Sequence, residues 1–375
     1  MLPRRNIGID ILRGFCILFV ILLHLNIQVN FKETLLGDLL PKRWYSLFFW
    51  SGFYGVIIFF TLSGYLITSS AIKKWGTLTD IKIKDFFIMR FSRIAPLLIL
   101  LLIVLSTLHI AKIPGFIINE EKTSLIRVVF AALTFHINWL EIQVGYLPAN
   151  WDVLWSISIE EIFYLTFPIL CLLARKEWHF VALIFVFLII SPWARTGMFP
   201  DNELGDRNHL AYLDAIAFGC ITAIIAHRVK ISKKIINILM ILGCCFIILI
   251  MFYKGFVYRS GLTDIGLNIT LLSLGVSLLV LWLHYKEKTN TQKDFWVLKG
   301  IKKMGELSYE MYLTHMFVVI VFVKIYKEAA LSKEWIYVLY ATVIFISFLL
   351  AKFLHKWVTE PMNQRIRSRY IKNKV

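Results

Sequence analysis

Residues 9–25 read IDILRGFCILFVILLHL, an apolar run that carries Asp10, Arg13 and His24. It continues to about Gln28, and a hydrocarbon core of about 30 Å needs roughly 20 such residues as helix, so the stretch predicts a membrane span over 10–29. Arg4 and Arg5 ahead of it mimic the basic start of a signal peptide. The run is too long for one, contains Arg13 and His24, and lacks a small-residue cleavage site, so a retained first span is expected.

Nine further runs of the same kind follow, at about 48–71, 92–111, 153–174, 178–195, 209–227, 235–253, 264–284, 305–326 and 336–355. An eleventh, 125–140 (LIRVVFAALTFHINWL), is short and holds Arg127, His136 and Asn138. Composition agrees with spans rather than a soluble core: of 375 residues, 58% are apolar and only 17% charged, against about 25% charged in soluble domains. The five cysteines lie inside apolar runs without C-x-x-C spacing, which argues for packing and against zinc or a disulfide framework. No metal site is expected.

The net charge of +17 would suggest nucleic acid or an anionic surface in a soluble protein; in a membrane protein it sets orientation. With ten spans and the N-terminus inside, 27 of the 41 Lys and Arg fall on the cytoplasmic side and 13 outside. Counting 125–140 as a span changes this to 15 inside and 25 outside. The positive-inside rule therefore favours ten spans, both termini cytoplasmic, and 125–140 as a re-entrant or interfacial helix on the outer side. The expected fold is all-α and polytopic, a single membrane domain over 1–375 with no loop long enough for a soluble core.

Ionisable groups inside a bilayer are costly, so each is a functional candidate. Arg13 and His24 are eleven residues apart, close to three turns, and share one helix face about 16 Å apart along the axis. Arg13 sits near the cytoplasmic boundary, where snorkelling is the bland explanation, and His24 in the outer half. Asp10 is placed to pair with Arg13 or to cap the helix.

The run NWDVLWSISIEEIFYLTFPIL, 150–170, puts Glu160 and Glu161 in a membrane helix, with Ser156 and Tyr164 four residues to either side of Glu160. Both carboxylates are expected roughly 10 Å below the outer surface, level with His24. A histidine and a carboxylate at one depth make a general-base pair, or else a structural ion pair. Gly55, Ser63 and Gly64 in the second span permit close helix packing or close approach of a ligand. Arg90 and Arg93, three apart at the start of the third, suit a phosphate clamp as well as ordinary anchoring. GELSYEMYLTHMF supplies Tyr309, Tyr312 and His315 as candidate cavity lining with Ser63 and Tyr164, and HKWVTEPM supplies His355 and Glu360, the latter as partner for a cytoplasmic arginine.

The ordered series IDILRGFCILFVILLH, FFTLSGYLI, MRFSRIAP, WSISIEEIFYLTFP, LSYEMYLTH and the late TEP resembles the acyltransferase 3 family of integral-membrane O-acyltransferases, across nearly the whole chain. The resemblance implies transfer of an acyl group, usually acetyl, from cytoplasmic acyl-coenzyme A to a hydroxyl of a carbohydrate, such as a surface polysaccharide or its lipid-linked precursor. It maps the family's arginine and histidine of the first span to Arg13 and His24, its paired arginines to Arg90 and Arg93, and its glutamate motif to Glu160 and Glu161. The implied roles are catalysis for His24, Glu160 and Glu161 and donor binding for Arg13, Arg90 and Arg93, with coenzyme A as a substrate and no permanently bound cofactor. The setting implied is the bacterial inner membrane and cell envelope, and the form is the stand-alone one without a fused hydrolase-like domain. A second class fits the same residues: a proton-coupled transporter or flippase, with His24 and Glu160 relaying protons and the arginines holding an anionic substrate.

Overall fold

The computed structural model describes residues 6–287 and 296–371, so Arg4, Arg5 and part of the 285–304 loop lie outside the described residues. Among the described residues, ten helices are long and apolar enough to cross a membrane. They are α1 (Ile7–Gln28), α2 (Gly52–Trp75), α3 (Ile83–Ile110), α4 (Leu154–Leu173), α5 (Glu177–Thr196), α6 (Leu213–Arg228), α7 (Lys233–Phe252), α8 (Leu267–Glu287), α9 (Ser308–Glu328) and α10 (Trp335–Leu354). The described residues contain no strand. In a bilayer this is what backbone chemistry demands, since a helix satisfies its own N–H and C=O groups where no water is available.

Helix ends are set locally. Asn6 caps α1, its side chain accepting from the Ile9 N–H at 3.1 Å, so the cap is Asn6 and not Asp10. Helix α2 stops at Gly76, whose φ of +85° only glycine adopts without strain. The 125–140 segment forms two short helices, Leu125–Leu133 and Ile137–Val144, broken at Thr134–His136. Neither is long enough to cross a membrane.

Helix α2 is the hub of the bundle, packed on α1, α4, α6 and α8 and buried along most of its length. Its contact with α6 is made backbone to backbone. A Cβ on Gly64 would fall on the Ile216 carbonyl, and one on Gly219 on the Thr61 carbonyl, so two glycines facing each other's helices set the approach. Gly55 lies in the same way against Cys16 of α1. Both second-span glycines thus serve helix packing. Helices α5 and α7 by contrast turn Ile189, Trp193, Ile238, Ile241 and Ile248 outward, as a lipid-facing surface requires. Helix α10 passes through a π-helical turn, His355–Thr359, into a basic helix, Glu360–Tyr370.

Candidate functional site

The candidate residues that the structure describes fall into two polar clusters within the bundle, one toward the end where α1 begins and one toward the end where it finishes. The start of α9 links them.

The first cluster is built by α1, α3, α4 and α9. Arg13 is buried and donates from Nη2 to Ser308 Oγ at 2.8 Å. Arg90 lies over the Tyr164 ring, 4.6 Å from its centroid, and Tyr164 shares a very short hydrogen bond with Ser63. The charges acting on Glu160 are those of Arg90, Arg13 and Arg93, and Ser63 donates to its carboxylate. Those acting on Glu161 are Glu160, Arg90 and Arg93. Tyr309 donates to the Ile94 carbonyl at 2.8 Å and so ties α9 to the turn after Arg93. Glu161 and Arg13 are buried, Arg90, Glu160 and Tyr309 half-buried, and Arg93 exposed, so the cluster opens from the packed interior to the surface. Three cations against two carboxylates leave one positive charge in excess, and guanidinium groups match the geometry of phosphate oxygens.

The second cluster is centred on His24. Its Nδ1 lies 2.8 Å from the Val20 carbonyl and 3.3 Å from Nε2 of His315. His315 is fully buried and holds its own Nδ1 2.8 Å from the Tyr312 carbonyl. The charges acting on His24 are those of Asp152 and Arg207. Arg207 Nη1 donates to Asp152 Oδ1 and to Glu141 Oε2, each at 2.6 Å, under the rings of Tyr146 and Trp155. Burial and the neighbouring Asp152 carboxylate push the Glu141 carboxyl well above the usual range, against the pull of Arg207. Beside this network lies a cavity of ≈ 500 Å³, lined in part by Lys122, Glu141, Gln143, Tyr146, Asn202 and Glu203.

The two glutamates therefore sit with the arginines and not with His24, contrary to the expected His24–glutamate pair. The physical reason lies in how α4 is anchored. Ser156 bonds Tyr312 at 2.7 Å and Tyr312 donates to the Val153 carbonyl at 3.2 Å, so the first turn of α4 is the part level with Tyr312 of α9. Glu160 is one turn farther along, where the positive charges that act on it are guanidiniums, and a carboxylate inside the bundle without one would be strongly unfavourable. Tyr309 and Tyr312 spend their hydroxyls on bonds between α9 and α3 or the start of α4, so they tie these elements together. Glu360 accepts from Gln364 at 2.7 Å within its own helix, and among the described residues no arginine takes the expected role; His355 meets Glu310 at 2.9 Å.

Asp152, Arg207 and Glu141 carry no mark in the sequence that singles them out. Asp152 stands two residues before α4 in the quoted glutamate stretch, and Arg207 lies in a loop where it counts only as one basic residue among many.

Residues 6–357 match a family described as an acyltransferase domain. The chain belongs to this acyltransferase family. Among curated proteins it is similar to the O-acetyltransferase OatA of Staphylococcus aureus strain NCTC 8325 / PS 47, with 28% identity over 395 residues covering 97% of this chain and 58% of the relative. The same protein in strains COL and MRSA252 gives the same identity and coverage. The chain thus spans somewhat over half the length of these relatives. No solved structure matches it.

Proposed function

We propose that this protein is a membrane-embedded O-acetyltransferase that moves acetyl from acetyl-coenzyme A to a hydroxyl of a carbohydrate. The observation that carries the reading is the placement, in one bundle of an acyltransferase family member, of a three-arginine cluster and a histidine pair joined by the first two turns of α9. With the orientation favoured by the charge count, the arginines face the cytoplasm, where coenzyme A resides, and His24 faces the outer side of a bacterial inner membrane. Arg13, Arg90 and Arg93 then bind the donor's phosphates, and Glu160 and Glu161 hold those arginines in place. The pantetheine arm, comparable in length to the Arg13–His24 separation of about 16 Å, carries the thioester toward His24. The polar cavity beside Tyr146 and Gln143 gives a carbohydrate somewhere to dock from the other side.

The chemistry requires one base. His24 takes the proton of the acceptor hydroxyl on Nε2, the oxygen attacks the thioester carbonyl carbon, and the carbon–sulfur bond breaks. The imidazolium returns its proton to the departing thiolate, giving an O-acetyl ester and free coenzyme A. The test is a transfer assay with the purified protein in liposomes and radiolabelled acetyl-coenzyme A, paired with mass spectrometry of surface glycans from cells with and without the gene. Loss of glycan O-acetylation without the gene is the expected result. Unchanged acetylation, or transfer that survives His24→Ala, overturns the reading.

A further inference from the structure

Three elements other than α1 act on His24, one by contact and two by charge. From α9 comes His315, with the 3.3 Å contact given above. From the turn before α4 comes Asp152, and from the segment before α6 comes Arg207, the two charges that act on His24. The turn that carries Asp152 is fixed to α9 on both sides: Asn150 Nδ2 donates to the Leu313 carbonyl at 2.6 Å, and the Tyr312 hydroxyl to the Val153 carbonyl. The same stretch of α9 that presents His315 to His24 therefore also holds Asp152 in register. Arg207 fixes the carboxylate from the other side, and its guanidinium is itself packed 5.0 Å from the Trp155 ring centroid and 4.9 Å from that of Tyr146. Glu160 and Glu161, the carboxylates that the sequence offers first, are occupied by Arg90 and Arg93.

We infer that Asp152 is the carboxylate that serves His24: it stabilises the imidazolium while His24 carries the acceptor's proton, with Arg207 and Glu141 as the residues that position it. The inference rests on His24 acting as the base, and it names the electrostatic partner of that base. A neutral histidine in a buried site gains a full charge during transfer, and the cost falls when the charge of a fixed carboxylate already acts on it. Arg207 holds the Asp152 carboxylate at 2.6 Å and its positive charge moderates the carboxylate's field at His24. Glu141, buried and holding its proton, adds a hydrogen bond to this arrangement without adding a second negative charge.

The experiment follows the histidine itself. Protein labelled with 13C at histidine Cε1 is titrated by NMR in detergent, the His24 signal being assigned by its loss in His24→Gln. In Asp152→Asn the midpoint of the His24 titration moves to lower pH by about half a unit or more, at least a threefold change in the protonation ratio. Asp152→Glu restores it, and Glu160→Gln and Glu161→Gln leave it in place. The acid limb of the pH–rate profile for acetyl transfer moves in the same direction as the NMR midpoint. An unmoved His24 midpoint in Asp152→Asn, in protein whose other histidine signals keep their native positions, overturns the inference, as does a larger movement in either glutamate variant. Should Asp152→Asn fail to fold, Arg207→Gln serves in its place: it removes the opposing charge and moves the midpoint upward, and no movement or a downward one overturns the inference. The titration needs no acceptor, so failure of the base assignment itself, read as transfer surviving in His24→Ala, is distinguishable.

Discussion

His315 Nε2 lies 3.3 Å from His24 Nδ1, while each ring turns its own Nδ1 to a carbonyl of its own helix, Val20 for His24 and Tyr312 for His315. A carbonyl only accepts, so both rings carry their proton on Nδ1. His315 Nε2 is then a lone pair that accepts part of the His24 N–H, and the basic nitrogen left on His24 is Nε2. Among the described residues, the pair fixes a tautomer with no carboxylate in direct contact, a task that an aspartate performs in hydrolase triads.

Loss of that contact has a defined kinetic signature. His24→Ala is expected to lower kcat by about 10²- to 10⁴-fold, the usual contribution of a general base. His315→Ala leaves the base present but free to rotate, and a fall in kcat of about 10- to 100-fold with an unchanged KM for acetyl-coenzyme A is expected. Steady-state kinetics in liposomes reads both, and a His315 variant that alters only KM contradicts the positioning role.

The arginine cluster predicts the opposite split. Hydrogen bonds to charged groups are worth about 1.5–3 kcal/mol, so Arg90→Ala or Arg93→Ala should raise the dissociation constant for coenzyme A by about 10- to 100-fold. Arg90→Ala also leaves Glu160 without the cation that acts on it most strongly, so Arg90→Lys is the cleaner variant; it keeps the charge but loses the planar fork over Tyr164. Glu160→Gln should likewise alter donor affinity and not the pH profile. Calorimetric titration with coenzyme A measures these effects directly, and affinities unchanged in both arginine variants place the donor elsewhere.

The ten spans are legible in the sequence because apolar run length is a local property, and 125–140 is recognisably different because it is too short and carries Arg127 and His136. Arg13, His24, Arg90, Glu160 and Glu161 are legible for a similar reason, each being an ionisable group in or at the edge of an apolar run. Their pairing is not. Counting 1.5 Å per residue from an assumed flat boundary sets Glu160 and His24 at one depth, but α4 is anchored to α9 at Ser156 and Val153, and this sets Glu160 among arginines contributed by α1 and α3. Asp152 and Arg207 stayed hidden because a charge in a loop is unremarkable until the fold buries it. His315 came into view only as a candidate cavity residue, since nothing in the spacing between residues 24 and 315 reports that two helices cross there.

Stability should depend on pH through Glu141. Its carboxyl is held well above the usual range in the folded protein, so the native state keeps a proton that the unfolded chain releases near pH 4.5. The group's contribution is fully present below that point and is lost as pH rises toward the raised folded value. Glu141→Gln mimics the protonated form and should flatten this decline, giving a smaller loss of thermal stability between pH 5 and pH 8 than the parent shows. Unfolding curves in detergent across that range test it, and parallel slopes for the two proteins count against a protonated Glu141.

A second buried ion pair, away from both clusters, should govern folding and not catalysis. Arg195 at the end of α5 donates through Nη1 and Nη2 to the two oxygens of Asp214 on α6, at 2.9 and 2.8 Å, and through Nε and Nη2 to the Gly266 carbonyl just before α8. Gly266 reaches that position with φ +71° and its Cα against the Pro192 carbonyl, where a Cβ would meet that oxygen at 2.6 Å. Thr270 closes the network by donating to Asp214 at 2.6 Å. Both charged side chains are almost wholly buried, so removing one leaves the other uncompensated, at about 3–5 kcal/mol. Arg195→Met is therefore expected to lower the thermal midpoint sharply and to reduce yield in the membrane, whereas Arg195→Met combined with Asp214→Leu recovers much of the loss because no charge is then stranded. Whatever fraction of Arg195→Met folds should keep the parent's kcat, since the pair touches neither His24 nor the arginine cluster; a folded variant with impaired kcat would tie this lock to the chemistry.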